Sequence, residues 1–68
     1  MKRIRLTEIT ALSSYATIVA VDWIVRIRPR YKVGALIWIN GDAEPLAVEE
    51  SVDEVCARID AAERGGAA

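Results

Sequence analysis

The apolar pattern of this chain changes period once, at Ser51, and that single change limits the folds open to it. From Lys2 to Val48 the apolar residues come in short runs rich in Ile and Val, separated by turn-forming residues, as in strands whose side chains alternate between two faces. After Ser51, Val52, Val55, Cys56, Ile59 and Ala62 recur at helical spacing. A 68-residue chain with that order has room for one domain. It should be an α+β fold, a small antiparallel sheet of four or five strands followed by one C-terminal α-helix. The domain should occupy residues 1–64, with the helix at about 51–64 and residues 65–68 as a tail.

The first strand is expected in Lys2 to Thr7, where Ile4 and Leu6 point inward between charged residues. Thr10 to Ser14 is small and polar enough to turn, and the β-branched run Tyr15 to Val21 supplies a second strand. Asp22-Trp23 interrupts it. A third strand follows in Ile24 to Arg28, with Val25 and Ile27 inward and Arg26 and Arg28 outward, until Pro29 withdraws a backbone donor. Ala35 to Ile39 is wholly apolar and suits an interior strand. Asn40-Gly41 is the pair that most easily supplies positive φ at both central positions of a type I′ turn, so Asp42 to Val48 should return as a fifth strand. Pro45 confines that strand to an edge or sits in its first residues.

Ser51-Val52-Asp53-Glu54 has the form of a capping box, in which the Ser hydroxyl accepts from the Glu54 amide and the Glu54 carboxylate reaches back to the Ser amide. Glu54 with Arg58 and Asp60 with Arg64 are spaced as i, i+4 ion pairs on the outer face. Cys56 is expected on the buried face. The chain has no His and no second Cys, which excludes a Cys/His zinc site and an internal disulfide and leaves Cys56 without a base to activate it. No glycine-rich phosphate loop and no Ser/His/Asp set is present, so no catalytic residue, metal or cofactor is expected. The start of the chain lacks the continuous apolar run of an export signal, and no segment approaches the roughly 20 apolar residues that span a bilayer. The expected location is the cytoplasm, with no membrane partner.

Charge is divided along the chain. Residues 1–33 carry seven basic and two acidic residues, and residues 34–68 two basic and eight acidic ones. Arg26, Arg28, Arg30 and Lys32 stand two apart and would form a cationic row if the strand ran extended through Pro29, with Trp23 and Tyr31 nearby. Such a row could hold phosphate while an aromatic stacks on a base. Alternatively it is a solvated or intersubunit face on which the arginines meet Glu44, Glu49 or Glu50. Trp38, with its neighbours Ile37 and Ile39, is the candidate anchor for a subunit contact.

Several of these positions carry a family resemblance. Val19-x-Val21-Asp22-x-Ile24-x-x-Ile27, then Leu36-Ile37 and Asn40-Gly41, then Val48-x-Glu50-Ser51-x-x-Glu54-Val55-x-x-x-Ile59 resembles the FlbD family of small flagellar proteins over residues 19–59. The resemblance implies a short-stranded sheet that passes through an Asn-Gly turn into a helix. It differs in the arginines around residues 26–30 and in Trp23 and Trp38.

Together these features predict a small non-enzymatic binding or regulatory protein, bacterial or phage-borne, acting through protein contacts. Its size and its 53% apolar composition favour a homo-oligomer. Two alternatives remain: an anion-binding module that takes nucleotide or RNA on its basic hairpin face, and a phage or mobile-element inhibitor of a host protein.

Overall fold

A computed structural model describes residues 2–65, and the expected tail at 66–68 lies outside them. Five strands and one helix appear in the expected order: β1 (Arg3–Ile9), β2 (Ser14–Ala20), a 3₁₀ turn (Val21–Trp23), β3 (Ile24–Pro29), β4 (Ala35–Ile39), β5 (Leu46–Val48) and α1 (Val52–Glu63). All pairings are antiparallel, and the strands lie in the order β2-β1-β5-β4-β3.

This order has a geometric consequence. β2 and β3 are the two edges of the sheet, yet only Val21–Trp23 separates them in sequence. In a flat sheet the edges would stand four strand spacings apart, about 19 Å. Ala20 to Ile24 spans at most about 14 Å when fully extended, and less through a 3₁₀ turn. The sheet must therefore coil. The turn is held by Val21 N–H donating to the Lys2 carbonyl (2.9 Å) and Asn40 N–H donating to the Trp23 carbonyl (2.7 Å).

The coil wraps a core of Ile4, Leu6, Val19, Val21, Ala35, Ile37 and Val48, and α1 closes it with Val55. Val52, Ile59 and Ala62 pack half-buried along the same helix stripe. Cys56 does not join them. It is exposed, because the buried stripe runs through positions 52, 55, 59 and 62 and a residue one step beyond Val55 turns roughly 80° from the centre of that stripe. The capping box forms as expected, with Glu54 N–H donating to Ser51 Oγ at 3.2 Å and Ser51 N–H donating to Glu54 Oε1 at 2.9 Å.

Three local expectations are corrected. Val25 is not inward: the β3–β4 register slips between Ile24 and Arg26, and the extra residue is 69% exposed. The Asn40-Gly41 turn is not type I′, since only Gly41 takes positive φ (96°), and Asp42 N–H closes the turn on the Ile39 carbonyl at 3.0 Å. The strand after it begins at Leu46 rather than Asp42. Of the two places open to Pro45, an edge strand is excluded, since β5 lies at the centre of the sheet, and the proline stands at the start, immediately before Leu46. Gly34 is fixed by this arrangement. Its φ is +91°, and a β-carbon there would overlap the Val48 carbonyl oxygen of β5.

Candidate functional site

The short β5 leaves part of β1 without a strand neighbour, and two side chains take its place. β1 and β5 are in register only at Glu8 and Val48, after which the chain turns toward α1. Glu49 N–H still donates to the Thr7 carbonyl (2.9 Å). Beyond it the Glu50 carboxylate accepts from Thr7 N–H (2.9 and 3.1 Å) and from Thr7 Oγ1 (3.0 Å). Arg58, reaching from α1, donates to Glu50 Oε2 at 3.1 Å and to the Arg5 carbonyl at 2.6 Å. Glu50 is 8% exposed. Burial pushes its pKa up, but the Thr7 and Glu50 amides, the Thr7 hydroxyl and the Arg58 charge outweigh that and hold it below the usual glutamate value. This clip is structural. It also redirects the expected pairs: Glu54 serves the cap, Arg58 turns to Glu50, and Arg64 Nε donates to the Asp60 carbonyl rather than to its carboxylate.

The basic row is divided. β3 ends at Pro29, and the chain turns through Arg30–Gly34, closed by Arg30 N–H on the Gly34 carbonyl at 3.1 Å. Lys32 has φ +74° with Val33 N–H donating to the Tyr31 carbonyl, a γ-turn of the uncommon positive-φ kind. Arg30 spends a guanidinium N–H on the Val33 carbonyl (3.2 Å). Arg26 and Arg28 alone share a face, the one opposite the core, across from Trp38 and Leu36 of β4. The Arg26 guanidinium lies 5.6 Å from the Trp38 ring centroid, and Lys32 stands 5.9 Å from the Tyr31 ring at the tip. Among the described residues none of Arg26, Arg28, Arg30 and Lys32 forms an ion pair with Glu44, Glu49 or Glu50.

The aromatic candidates separate as well. Trp23 ends the 3₁₀ turn just before β3 and Tyr31 lies past its far end, so they do not share a site. Trp38 is half-buried under Arg26. Ile37 is fully buried in the core, which removes it from any contact surface, because β4 turns residues 35, 37 and 39 toward the coil. Ile39 remains half-buried in a groove of about 280 Å³ whose other lining residues include Thr17, Val19, Trp23, Leu46 and the charged Asp42.

The most distinctive surface is one that sequence periodicity did not single out. The two sheet edges are built differently. β3 carries Arg26, Arg28, a terminal Pro29 and the bulge at Val25, all devices that discourage a further strand. β2 has none of these. Its sequence Ser-Tyr-Ala-Thr-Ile-Val-Ala is uncharged, and Tyr15 and Ile18 are 53% and 54% exposed. Leu12, at the tip of the turn leading into β2, is 95% exposed. Thr10 orders that turn, its hydroxyl donating to the Ser13 carbonyl and accepting from Leu12 and Ser13 N–H. The Val21-to-Lys2 bond sets the phase of the β1–β2 ladder, so Ser14, Ala16, Ile18 and Ala20 direct their N–H and C=O groups away from β1. The signal was present in the sequence as the uncharged stretch between Glu8 and Asp22.

Among the described residues no group of three or more His, Cys, Asp or Glu is placed to hold a metal ion, and no helix is long and apolar enough to cross a membrane. Comparison with protein-family models, with curated proteins and with solved structures returned no match, and so does not bear on the FlbD resemblance.

Proposed function

We propose that this chain is a non-enzymatic binding module that engages protein partners by adding a strand to its sheet at β2. The observation that carries this reading is the uncharged β2 edge, with the outward backbone groups of Ser14, Ala16, Ile18 and Ala20 and the exposed side chains of Leu12, Tyr15 and Ile18 beside it. Main-chain hydrogen bonds along such an edge supply affinity, and flanking side chains supply selectivity.

The test uses Ala16→Pro. The Ala16 N–H points away from β1, so proline there removes a docking donor and no β1 ladder bond, a position at which edge strands accept it. Immobilised wild-type chain should retain a protein from host extract that folded Ala16→Pro does not. Equal retention by both would refute strand addition.

A second reading rests on Arg26 and Arg28 beside Trp38, which supports an anion site for nucleotide or RNA. Oligonucleotide binding should then weaken steeply with added salt and be reduced by Arg28→Ala for every sequence alike. No binding at low salt eliminates it.

A further inference from the structure

We propose that the strand added at β2 is the β2 of a second copy of this chain, paired antiparallel about a twofold axis at Thr17. This rests on the strand-addition reading and names its occupant. Ser14, Ala16, Ile18 and Ala20 are disposed symmetrically about Thr17. With the axis there, Ser14 of one copy faces Ala20 of the other and Ala16 faces Ile18, so every outward N–H and C=O of the strand finds a partner. Sliding the pairing by two residues in either direction leaves groups at an end unpaired.

Charge permits this contact. No charged residue lies between Glu8 and Asp22, so the two edges meet without like-charge repulsion. The nearest cations on the outer face, Arg3 and Arg5, sit one strand inward on β1. Across the joint the two β1 strands would be three spacings, about 14 Å, apart, beyond the screening length of about 8 Å in physiological salt.

The side chains fit the same register. Tyr15 and Val19 are on the core-facing side of β2, opposite Glu8 and Ile4 of β1. In the dimer Tyr15 of one copy faces Val19 of the other, and Val19 lines the groove with Thr17, Trp23, Ile39, Leu46 and a single charged residue, Asp42. The half-exposed ring of one copy thus enters the open groove of its mate. The protected β3 edge completes the design: sheets joined at β2 cannot extend at β3, so the contact closes as a dimer instead of propagating into a fibre.

Size-exclusion chromatography with light scattering should show a concentration-dependent dimer of twice the 7.5 kDa chain, with a Kd on the order of micromolar for an interface of one strand pair. Ala16→Pro should be a folded monomer by circular dichroism. Register is tested with Thr17→Cys in a Cys56→Ser background. Thr17 faces itself across the axis in a pair about 4.5 Å apart at Cα, within disulfide range, so mild oxidation should cross-link it and should leave Ile18→Cys in the same background uncross-linked. A constant 7.5 kDa mass up to about 1 mM, a dimer that survives Ala16→Pro, or equal cross-linking of the two cysteine variants overturns the proposal. If the purified chain stays monomeric while capture from extract still depends on Ala16, self-pairing fails and strand addition stands. If capture is also insensitive to Ala16→Pro, both fail.

Discussion

Removing the Glu50 carboxylate should cost this domain a large fraction of its stability, and the magnitude follows from what the carboxylate touches. In Glu50→Ala the Thr7 N–H and hydroxyl lose their acceptor beneath the turn into α1. An unsatisfied donor in such a place costs about 1–3 kcal/mol, and hydrogen bonds to a charged group lie at the upper end of that range. Arg58 adds less to the loss. Its side chain is 44% exposed, so its charge can return to water rather than remain buried and unpaired. The expected loss is therefore about 2–3 kcal/mol, against a total of roughly 3–10 kcal/mol for a domain of this size. In thermal melts that corresponds to a fall in Tm of about 10–20 °C.

The same group sets a pH dependence. Its folded pKa is depressed, so the stability it contributes is present above the unfolded glutamate pKa of about 4.3 and is lost as pH falls through the lower folded value. Urea unfolding of wild type and Glu50→Gln, compared at pH 7 and at successively lower pH, should show a gap that narrows in acid. Because other carboxylates titrate in both proteins, the difference isolates Glu50. A Glu50→Ala loss below about 0.5 kcal/mol at pH 7 with an unchanged denaturant slope would show that water replaces the clip without cost, and the account of β1's uncovered edge would be wrong.

Other positions are expected to respond in ways that separate them. Gly34→Ala combines positive φ with overlap on the Val48 carbonyl, and should destabilise by more than about 2 kcal/mol in urea unfolding; a loss under about 1 kcal/mol would mean that the hairpin shifts freely over β5. Ser51→Ala removes the acceptor of Glu54 N–H and should cost about 1 kcal/mol, with helical circular dichroism melting earlier. Cys56→Ser should change stability by less than about 0.5 kcal/mol, and the native thiol should react fully with a thiol reagent without denaturant; slow reaction would place Cys56 back in the core.

Where the fold was legible, the controlling forces were local. The capping box needs only Ser51 and Glu54, and the β-branched run of β2 and the Ile- and Trp-containing apolar run of β4 already favour extended backbone. The misread positions depend on partners distant in sequence. Val25 turns outward because β3 must bulge against β4, and Glu50 is buried because β5 stops short beside β1. Cys56 was misplaced for a narrower reason: α1 rests a thin stripe on the coiled sheet, and the spacing rule admits a wider one. The cationic row failed at its assumption of extended backbone through Pro29, since the positive φ of Lys32 bends the hairpin tip.

The division of charge along the chain becomes intelligible once strand order is known. Four of the seven basic residues of the first half lie on β1 and β3, where Arg26 and Arg28 guard an exposed sheet edge. Acidic residues of the second half are mostly on loops and on α1, where Asp53 and Glu54 occupy the first turn and complement the positive end of the helix dipole. Glu50 is the exception, drawn inward by backbone groups that β5 leaves uncovered. Between these uses of charge lies β2, an edge strand with none. A sheet ordinarily protects both edges, and a domain that protects one so thoroughly while leaving the other bare fits the proposed division into a closed side and a binding side. The uncharged strand, more than the charged ones, therefore marks where the proposed partner meets this protein.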